Sequence, residues 1–147
     1  DMDIAYTKRR PAEGVGWRHE PSLLALAQWA DFLVLTVAGG ADTRHLVNAE
    51  VLRALGPHGL LVNVARGSVV DQAALIACLH SGELGGAALD VFDDEPRVPQ
   101  ALIDMEQVVL APHMASGTLD TRQAMADLTL ANLRAGLAGE PLPSPAP

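Results

Sequence analysis

Three side chains with complementary chemistry each follow an apolar segment of the chain. Arg66 comes after LLVNVA, Glu95 follows GGAALD, and His113 comes after VVLAP. The planar guanidinium of an arginine binds a carboxylate through two hydrogen bonds, and a histidine can donate a proton near neutral pH. A carboxylate beside that histidine would orient its ring and raise its pKa. Together they suit reduction of a 2-oxo acid: Arg66 holds the substrate, His113 protonates its carbonyl oxygen and Glu95 orients His113.

Each of these residues has an ordinary explanation when it is taken alone. A loop arginine is commonly solvated, acidic side chains usually face water, and a single histidine in a turn is more often structural than catalytic. The prediction therefore depends on the combination. The histidines lack the spacing of metal ligands, so we expect no metal site; they are His19, His45, His58, His80 and His113.

The apolar segments have the length of buried strands and alternate with helical patterns. Strands are predicted at residues 2–7, 32–37, 60–64, 87–89 and 108–110, and helices at residues 21–30, 48–55, 71–80 and 118–138. Apolar strands without polar alternation, joined through helices, predict an α/β protein with a parallel sheet covered on both faces. The carboxyl ends of such strands meet at one edge, where ligands bind. We expect the three side chains at that edge.

The composition excludes several classes of protein. A formal net charge of −8 over 147 residues disfavours nucleic acid as a partner, because such a surface repels phosphate groups. No apolar run reaches the ~18–20 residues that span a bilayer, so we expect no membrane association. Cys78 is the single cysteine, which rules out an internal disulfide and fits a cytoplasmic location. We expect its thiol to be buried and inert.

Four segments in order resemble consecutive blocks of the D-isomer-specific 2-hydroxyacid dehydrogenase family. They are DFLVLTVAGGADTRHLVN, LLVNVARGSVVDQAAL, GGAALDVFDDEP and VVLAPHMASGTLDTR, and the resemblance extends over residues 4–137. It implies a Rossmann-type doubly wound parallel sheet that binds NAD(P) and a small 2-oxo or 2-hydroxy acid. It also implies a homodimer for the complete protein. Among family members, the glyoxylate/hydroxypyruvate reductases resemble this chain most in the turn after the first predicted strand.

The resemblance assigns roles by motif position. Arg66 matches the substrate-binding arginine, Glu95 and His113 match the glutamate–histidine acid/base pair, and Asp90 matches an aspartate on the nicotinamide side of the coenzyme. Arg66 and His113 also fall among the coenzyme contacts. The other predicted coenzyme contacts beyond the first turn are Val37, Ala38, Thr43, Val64, Ala65 and Ala115.

The stretch YTKRRP predicts the choice of coenzyme. Relatives that prefer NAD carry an acidic residue after the strand, which binds the 2′-hydroxyl of the ribose. This chain has Thr7 there, and Lys8, Arg9 and Arg10 follow. We therefore expect Thr7, Arg9 and Arg10 to bind the 2′-phosphate of NADP(H), with NAD(H) as the second choice.

The chain departs from the family pattern at two places. Relatives usually read Pro-Leu-Thr where this chain has Ala38-Gly39-Gly40, which predicts a looser backbone. The glycine-rich GxGxxG fingerprint is also missing, so we expect a cut chain that begins at the second strand of the coenzyme domain. Residues 1–138 would then form a partial Rossmann domain and residues 139–147 an extended tail. Such a piece should expose strand edges, should fold poorly or borrow a strand from elsewhere, and should lack activity. Its two-sided final helix should dock on the absent domain.

Two alternatives to an active reductase remain open from the sequence. Corepressor-like proteins that sense NAD(H) and recruit protein partners resemble the same family and can keep the catalytic trio. A truncated chain could also be an inactive structural or dimerisation unit. Turnover of a 2-oxo acid would distinguish the first of these from an enzyme.

Overall fold

The computed structural model describes residues 2–145, so Asp1 and residues 146–147, the end of the predicted tail, lie outside the described part. The chain divides into two compact units, Asp1–Pro112 and His113–Pro147. Each unit is described by itself.

The first unit contains six parallel strands in two sheets. The strands are β1 (Ala5–Tyr6), β2 (Arg18–His19), β3 (Phe32–Leu35), β4 (Leu60–Asn63), β5 (Gly86–Leu89) and β6 (Val108–Leu110). One sheet has the order β1-β2 and the other β3-β4-β5-β6. The helices are α1 (Leu23–Trp29), α2 (Ala49–Leu55), α3 (Gln72–Ser81) and α4 (Gln100–Ile103), with 3-10 turns at Ala41–Thr43 and Gly67–Val69. The predicted α/β fold with a parallel sheet is confirmed.

Side-chain caps fix where several helices begin. Asn48 Oδ1 accepts from the backbone N–H groups of Glu50 and Val51, and Asp71 Oδ1 accepts from Ala74 N at 3.1 Å, both at the predicted positions. The first helix was predicted to begin at Pro21, which is wrong. Ser22 caps it instead, because a serine hydroxyl can satisfy an orphan N–H that proline cannot.

Strand β2 and helix α4 were not predicted. Residues 7–20 were interpreted as a polar loop, yet Arg18 and His19 pair with Ala5 and Tyr6. The two-residue strand is too short to show alternation or an apolar run. Helix α4 is a single turn without a side-chain cap. It therefore lacks both usual signals of a helix, a repeating apolar pattern and a capping residue.

The two sheets leave a gap between β1 and β3. In the described part of the chain neither strand pairs with the other. An apolar cavity of about 280 Å³ lies there, with Ala5 on one side and Trp29 and Val34 on the other. As expected, the edges of β1 and β3 that border this gap have no strand partner in the described residues.

The hydrophobic core lies on one face of the larger sheet. The strand register places Leu33, Leu61 and Ala87 side by side, and all three belong to the buried cluster. The same cluster contains Leu52 of α2 and Leu75 of α3. Helices α1, α2 and α3 therefore form the layer that packs on this face.

The second unit consists mainly of helix α5 (Leu119–Ala138), which Thr118 caps. Its tail turns back along the helix: Asn132 Nδ2 donates to Ser144 Oγ at 2.8 Å, and Ser144 N donates to Asn132 Oδ1 at 3.2 Å. Leucines on both predicted faces are exposed, among them Leu128, Leu130 and Leu133. A search of residues 2–145 finds no helix with the length and apolarity needed to span a membrane.

Candidate active site

The carboxyl ends of four strands lie side by side in the first unit. The register pairs Leu35 with Asn63, Asn63 with Leu89, and Leu89 with Leu110. The loops that leave this edge carry most of the predicted site residues of the first unit. The parallel sheet therefore gathers segments that are far apart in sequence.

Asn63 holds the backbone of the Arg66 loop. Its side chain is 1% exposed, its Nδ2 donates to Arg66 O at 3.0 Å, and its Oδ1 accepts from Ala65 N at 3.0 Å. The Arg66 side chain is exposed, and its Nη1 donates to Ala65 O at 2.6 Å. A guanidinium has five N–H donors, so this bond leaves the other edge of the fork for a carboxylate.

Gly67 brings the Arg66 loop against the loop that follows β5. A Cβ atom at position 67 would overlap the carbonyl of Phe92, so only glycine allows this approach. Phe92 N in turn donates to Glu95 Oε1 at 3.0 Å. The loops that carry Arg66 and Glu95 are therefore in backbone contact.

Asp90 lies directly after β5 and is 7% exposed. Its N–H donates to Asn63 O at 3.0 Å, which continues the β4–β5 ladder past the strand end. Of the other predicted coenzyme residues here, Ala65 is buried and Val64 is 39% exposed. Glu95 is exposed. The edge thus combines one buried carboxyl group with accessible apolar surface.

His113 is the third residue after β6 and opens the second unit. Its φ of 55° lies in the left-handed region, which costs a non-glycine residue about 1–3 kcal/mol and recurs at functional sites. His113 and Ala115 are exposed, and Gly117 N donates to Met114 O at 2.8 Å. A tight turn therefore presents the histidine.

The predicted 2′-phosphate turn follows β1. Lys8, Arg9 and Arg10 are exposed, and Thr7 is half-buried. Arg9 Nη2 lies 2.9 Å from Asp42 Oδ2. Asp42 belongs to the 3-10 turn after β3, so this ion pair joins the β1 turn to the β3 loop.

The loop after β3 makes a hydrogen bond within itself and a contact with Arg66. Thr43 Oγ1 donates to Ala38 O at 2.8 Å, which closes the loop on itself. Ala38 is exposed and Val37 half-buried. A Cβ atom at position 39 would lie 2.6 Å from Arg66 Cγ. The loop therefore packs on the side chain of Arg66.

Cys78 lies away from this edge, on α3, and is 1% exposed. Burial, followed by the charge of Glu83, raises the pKa of its thiol. The prediction of a buried thiol is confirmed, and the raised pKa keeps it protonated. The described residues contain no group of histidine, cysteine and acidic side chains that could hold a metal ion.

The roles that the sequence assigns to these residues stay predictions, although the fold places most of them at one edge. Sequence reasoning missed three residues that shape the edge: Asn63, Gly39 and Gly67. Asn63 carried a signal, since an amide inside the apolar run LLVNV must find buried partners. The contacts of the two glycines depend on distant segments, which local patterns do not show.

Comparisons with known proteins agree with the fold. Residues 1–115 match the family described as D-isomer specific 2-hydroxyacid dehydrogenase, NAD binding domain. The chain is 44% identical over 145 residues to the hydroxyphenylpyruvate reductase of Plectranthus scutellarioides, and this match covers 99% of the chain and 46% of that protein. It is 46% identical over 142 residues to glyoxylate/hydroxypyruvate reductase A of Arabidopsis thaliana, covering 97% of the chain and 45% of that protein.

A solved structure is similar along the same length. The crystal structure of the NADPH-dependent glyoxylate/hydroxypyruvate reductase of Sinorhizobium meliloti in complex with NADP and malonate has a TM-score of 0.94 and 47% identity. The match covers 99% of this chain and 46% of that one. The chain therefore spans about half the length of the relatives that it matches.

Proposed function

Because this chain belongs to the D-isomer specific 2-hydroxyacid dehydrogenase family, as its NAD binding domain, we propose that its protein reduces a small 2-oxo acid with NADPH. The products would be the D-2-hydroxy acid and NADP. Glyoxylate and hydroxypyruvate are the first candidate substrates, since similar proteins bear those names.

The position of Arg66 is the observation that carries this proposal. Its side chain is exposed at the carboxyl end of β4, while Asn63 holds its backbone from beneath. A fixed backbone with an exposed planar fork suits bidentate binding of a carboxylate. Such binding would also place the neighbouring carbonyl of a 2-oxo acid at the strand edge.

His113 and Glu95 would supply the proton. NADPH, when bound, provides the hydride that attacks the carbonyl carbon of the substrate. In the proposed roles, the imidazolium of His113 transfers a proton to the carbonyl oxygen, and Glu95 is the carboxylate of the acid/base pair. The left-handed backbone of His113 supports a functional role, because such strain is kept where a side chain must be aimed.

The turn after β1 supports NADP over NAD. Three consecutive cations, Lys8, Arg9 and Arg10, are exposed there, and this donor set fits a phosphate group. Arg9 is paired with Asp42, but both side chains are largely exposed, and exposed ion pairs contribute little. A 2′-phosphate can therefore replace Asp42 as the partner of Arg9.

Turnover by the full-length protein tests the proposed activity. NADPH oxidation is followed with glyoxylate, hydroxypyruvate and hydroxyphenylpyruvate, and the configuration of the product is determined. We expect turnover to a D-2-hydroxy acid, and a drop of about 10²-fold or more in kcat for His113→Gln. Arg122→Gln, on exposed surface of α5, serves as the control. Absence of turnover with every 2-oxo acid, in a protein that binds NADPH, would refute the proposal.

A charge-removal experiment tests the choice of coenzyme. Arg9→Gln/Arg10→Gln should raise the Kd for NADPH by about tenfold or more, because each charge-assisted hydrogen bond contributes about 1.5–3 kcal/mol. The Kd for NADH should not change. Arg134→Gln removes a positive charge on α5 and controls for net charge. An equal loss of affinity for both coenzymes would contradict the assignment.

We also propose a cytoplasmic homodimer for the complete protein. The single, buried cysteine supports a reducing compartment. Light scattering on the full-length protein measures its mass, and fractionation of the source cells locates it. A monomer, or a protein confined to an oxidising compartment, would contradict this part.

A further inference from the structure

We infer that Gly39 is a positioning residue for Arg66: the missing side chain at position 39 determines where the guanidinium lies at the end of β4. The inference rests on the proposed function, in which Arg66 binds the substrate carboxylate. It adds a determinant of substrate binding that lies on a different loop, after β3.

The contact between the two residues involves the base of the arginine side chain. A Cβ atom at position 39 would lie 2.6 Å from Cγ, 3.1 Å from Cβ and 3.8 Å from Cδ of Arg66. Carbon atoms that are not bonded prefer separations of about 3.5–4.0 Å, so the distance to Cγ is an overlap and the distance to Cβ is a tight contact. Rotation about χ1 moves Cγ but leaves Cβ in place. An alanine at position 39 would therefore displace the arginine side chain and press on its backbone.

The backbone of Arg66 is held firmly on its other side. Its carbonyl oxygen accepts from Asn63 Nδ2 at 3.0 Å and from Val69 N at 3.2 Å. The adjoining Gly67 lies against the backbone of Phe92, where a Cβ atom would not fit. Since the backbone cannot easily move, the arginine side chain must change direction. Because the guanidinium is at the end of the side chain, a displacement of Cγ moves it farther than the rest of the residue.

Backbone conformation does not explain the glycine at position 39. The glycines with positive φ are Gly14, Gly56, Gly82 and Gly139, and Gly39 is not among them. Its neighbour Gly40 has an extended backbone, with φ 168° and ψ 180°, and no atom within 4 Å of a Cβ built there. Of these two adjacent glycines, only Gly39 lies where a Cβ atom would contact Arg66.

Substrate binding should therefore respond to position 39 more strongly than coenzyme binding. A misplacement of about 1 Å can lower a rate by 10²-fold. We expect Gly39→Ala to lower kcat/KM for the 2-oxo acid by about 10–100-fold, mainly by raising KM. The Kd for NADPH should rise by a smaller factor than the KM for the 2-oxo acid, because Arg66 is also among the predicted coenzyme contacts. Gly40→Ala should leave both values unchanged.

The experiment compares Gly39→Ala, Gly40→Ala, Arg66→Ala and the double variant Gly39→Ala/Arg66→Ala in the full-length protein. If Gly39 acts through Arg66, the double variant has the same kcat/KM as Arg66→Ala. Ethylguanidinium should then restore activity to Arg66→Ala more than to the double variant, because its ethyl group takes the place of Arg66 Cγ and Cδ and would overlap the methyl group added at position 39. An unchanged KM in Gly39→Ala, an equal effect of Gly40→Ala, or losses that multiply in the double variant would each overturn the inference.

The same variants distinguish a failure of this inference from a failure of the proposed function. If Arg66→Ala keeps the normal KM, the proposed role of Arg66 is wrong. If Arg66→Ala raises KM and Gly39→Ala does not, only the positioning role of Gly39 is wrong. Should Gly39→Ala fail to fold, the double variant should recover its Tm, because removal of Cγ clears the overlap at 2.6 Å; a Tm that stays low overturns the inference.

Discussion

The two faces of the four-stranded sheet differ sharply, although both are apolar. On one face Leu33 and Leu61 are 4% and 0% exposed, whereas on the other Phe32 and Val34 are 53% and 54% exposed. The register continues the exposed face across the sheet to Val109, which is 66% exposed. Side chains alternate between faces along a strand, so neighbours in sequence belong to opposite environments.

The difference shows that apolar residues on both sides of a strand indicate two faces suited to apolar contacts. They do not show that both faces are covered within this chain. The sequence predicted a sheet covered on both faces, because its strands lack polar alternation. Within the described residues the cluster that buries one face includes Leu52 and Leu75, while the other keeps valines accessible. Mutation of adjacent residues of the same type, one on each face, compares the two faces directly.

The largest effect is expected for two neighbouring leucines of β4. Leu61 is fully buried and Leu60 is 36% exposed. Leu61→Ala should lower the free energy of unfolding by about 2–5 kcal/mol, because it removes buried methylene groups and leaves a cavity. Leu60→Ala should cost about 1 kcal/mol. Urea unfolding measures both, and equal losses would mean that the second face is also covered.

Asn63 provides the next test, as the buried polar residue of the covered face. Asn63→Ala leaves Arg66 O and Ala65 N without their side-chain partner. We expect a loss of about 1–3 kcal/mol in unfolding free energy, together with a higher KM for the 2-oxo acid. Urea unfolding and initial rates measure the two effects. A stability loss with an unchanged KM would show that Asn63 does not hold the arginine loop for substrate.

Two valines of β6 give a smaller contrast. Val108 packs against the core, and Val109 points to the exposed face. Val108→Thr should cost about 1 kcal/mol, because it places a hydroxyl against apolar partners. Val109→Thr should stay within about 0.5 kcal/mol. A larger loss for Val109→Thr, seen by thermal unfolding, would reverse the assignment of the two faces.

The smallest effect concerns the helix layer that covers the buried face. Arg53 of α2 donates to Glu83 at 3.0 Å, and this hydrogen bond, with one from Ser81, lowers the pKa of Glu83. A carboxyl group with a lowered folded-state pKa stabilises the protein above its unfolded pKa and loses that effect as pH falls through its folded pKa. Glu83→Gln should therefore lower Tm slightly at neutral pH and not at strongly acidic pH.

The control for that measurement is Glu106→Gln, which removes an exposed carboxylate near β6. Its Tm difference should not follow the same pH course. A Glu83→Gln difference that persists at acidic pH would show that the ion pair between α2 and the segment after α3 does not stabilise the protein.

Much of the fold could be predicted because it depends on local patterns. The apolar segments at residues 32–37 and 60–64 became β3 and β4, and the capping residues Asn48 and Asp71 marked two helices. Such signals act over a few residues, so a sequence shows them directly. Strand β2 escaped because its two residues need a partner, β1, that lies elsewhere in the chain.

The site was predictable in its chemistry and less so in its packing. Motifs located Arg66 and Asp90 at strand ends, as the fold has them. The two glycines after β3 were interpreted as a source of looseness, whereas Gly39 lies against Arg66 and Thr43 closes the loop. Contacts between loops far apart in sequence depend on the assembled sheet, so no local pattern could show them.

The hydrogen bond from Ala65 N to the buried Asn63 Oδ1 has a consequence for hydrogen exchange. Amide protons beyond a strand end usually exchange with solvent through local fraying. This one is bonded to an acceptor inside the core, so it should exchange as slowly as the strand itself. Such protection would mean that the arginine loop is already ordered before any ligand arrives. Binding would then require little additional ordering entropy from this part of the protein.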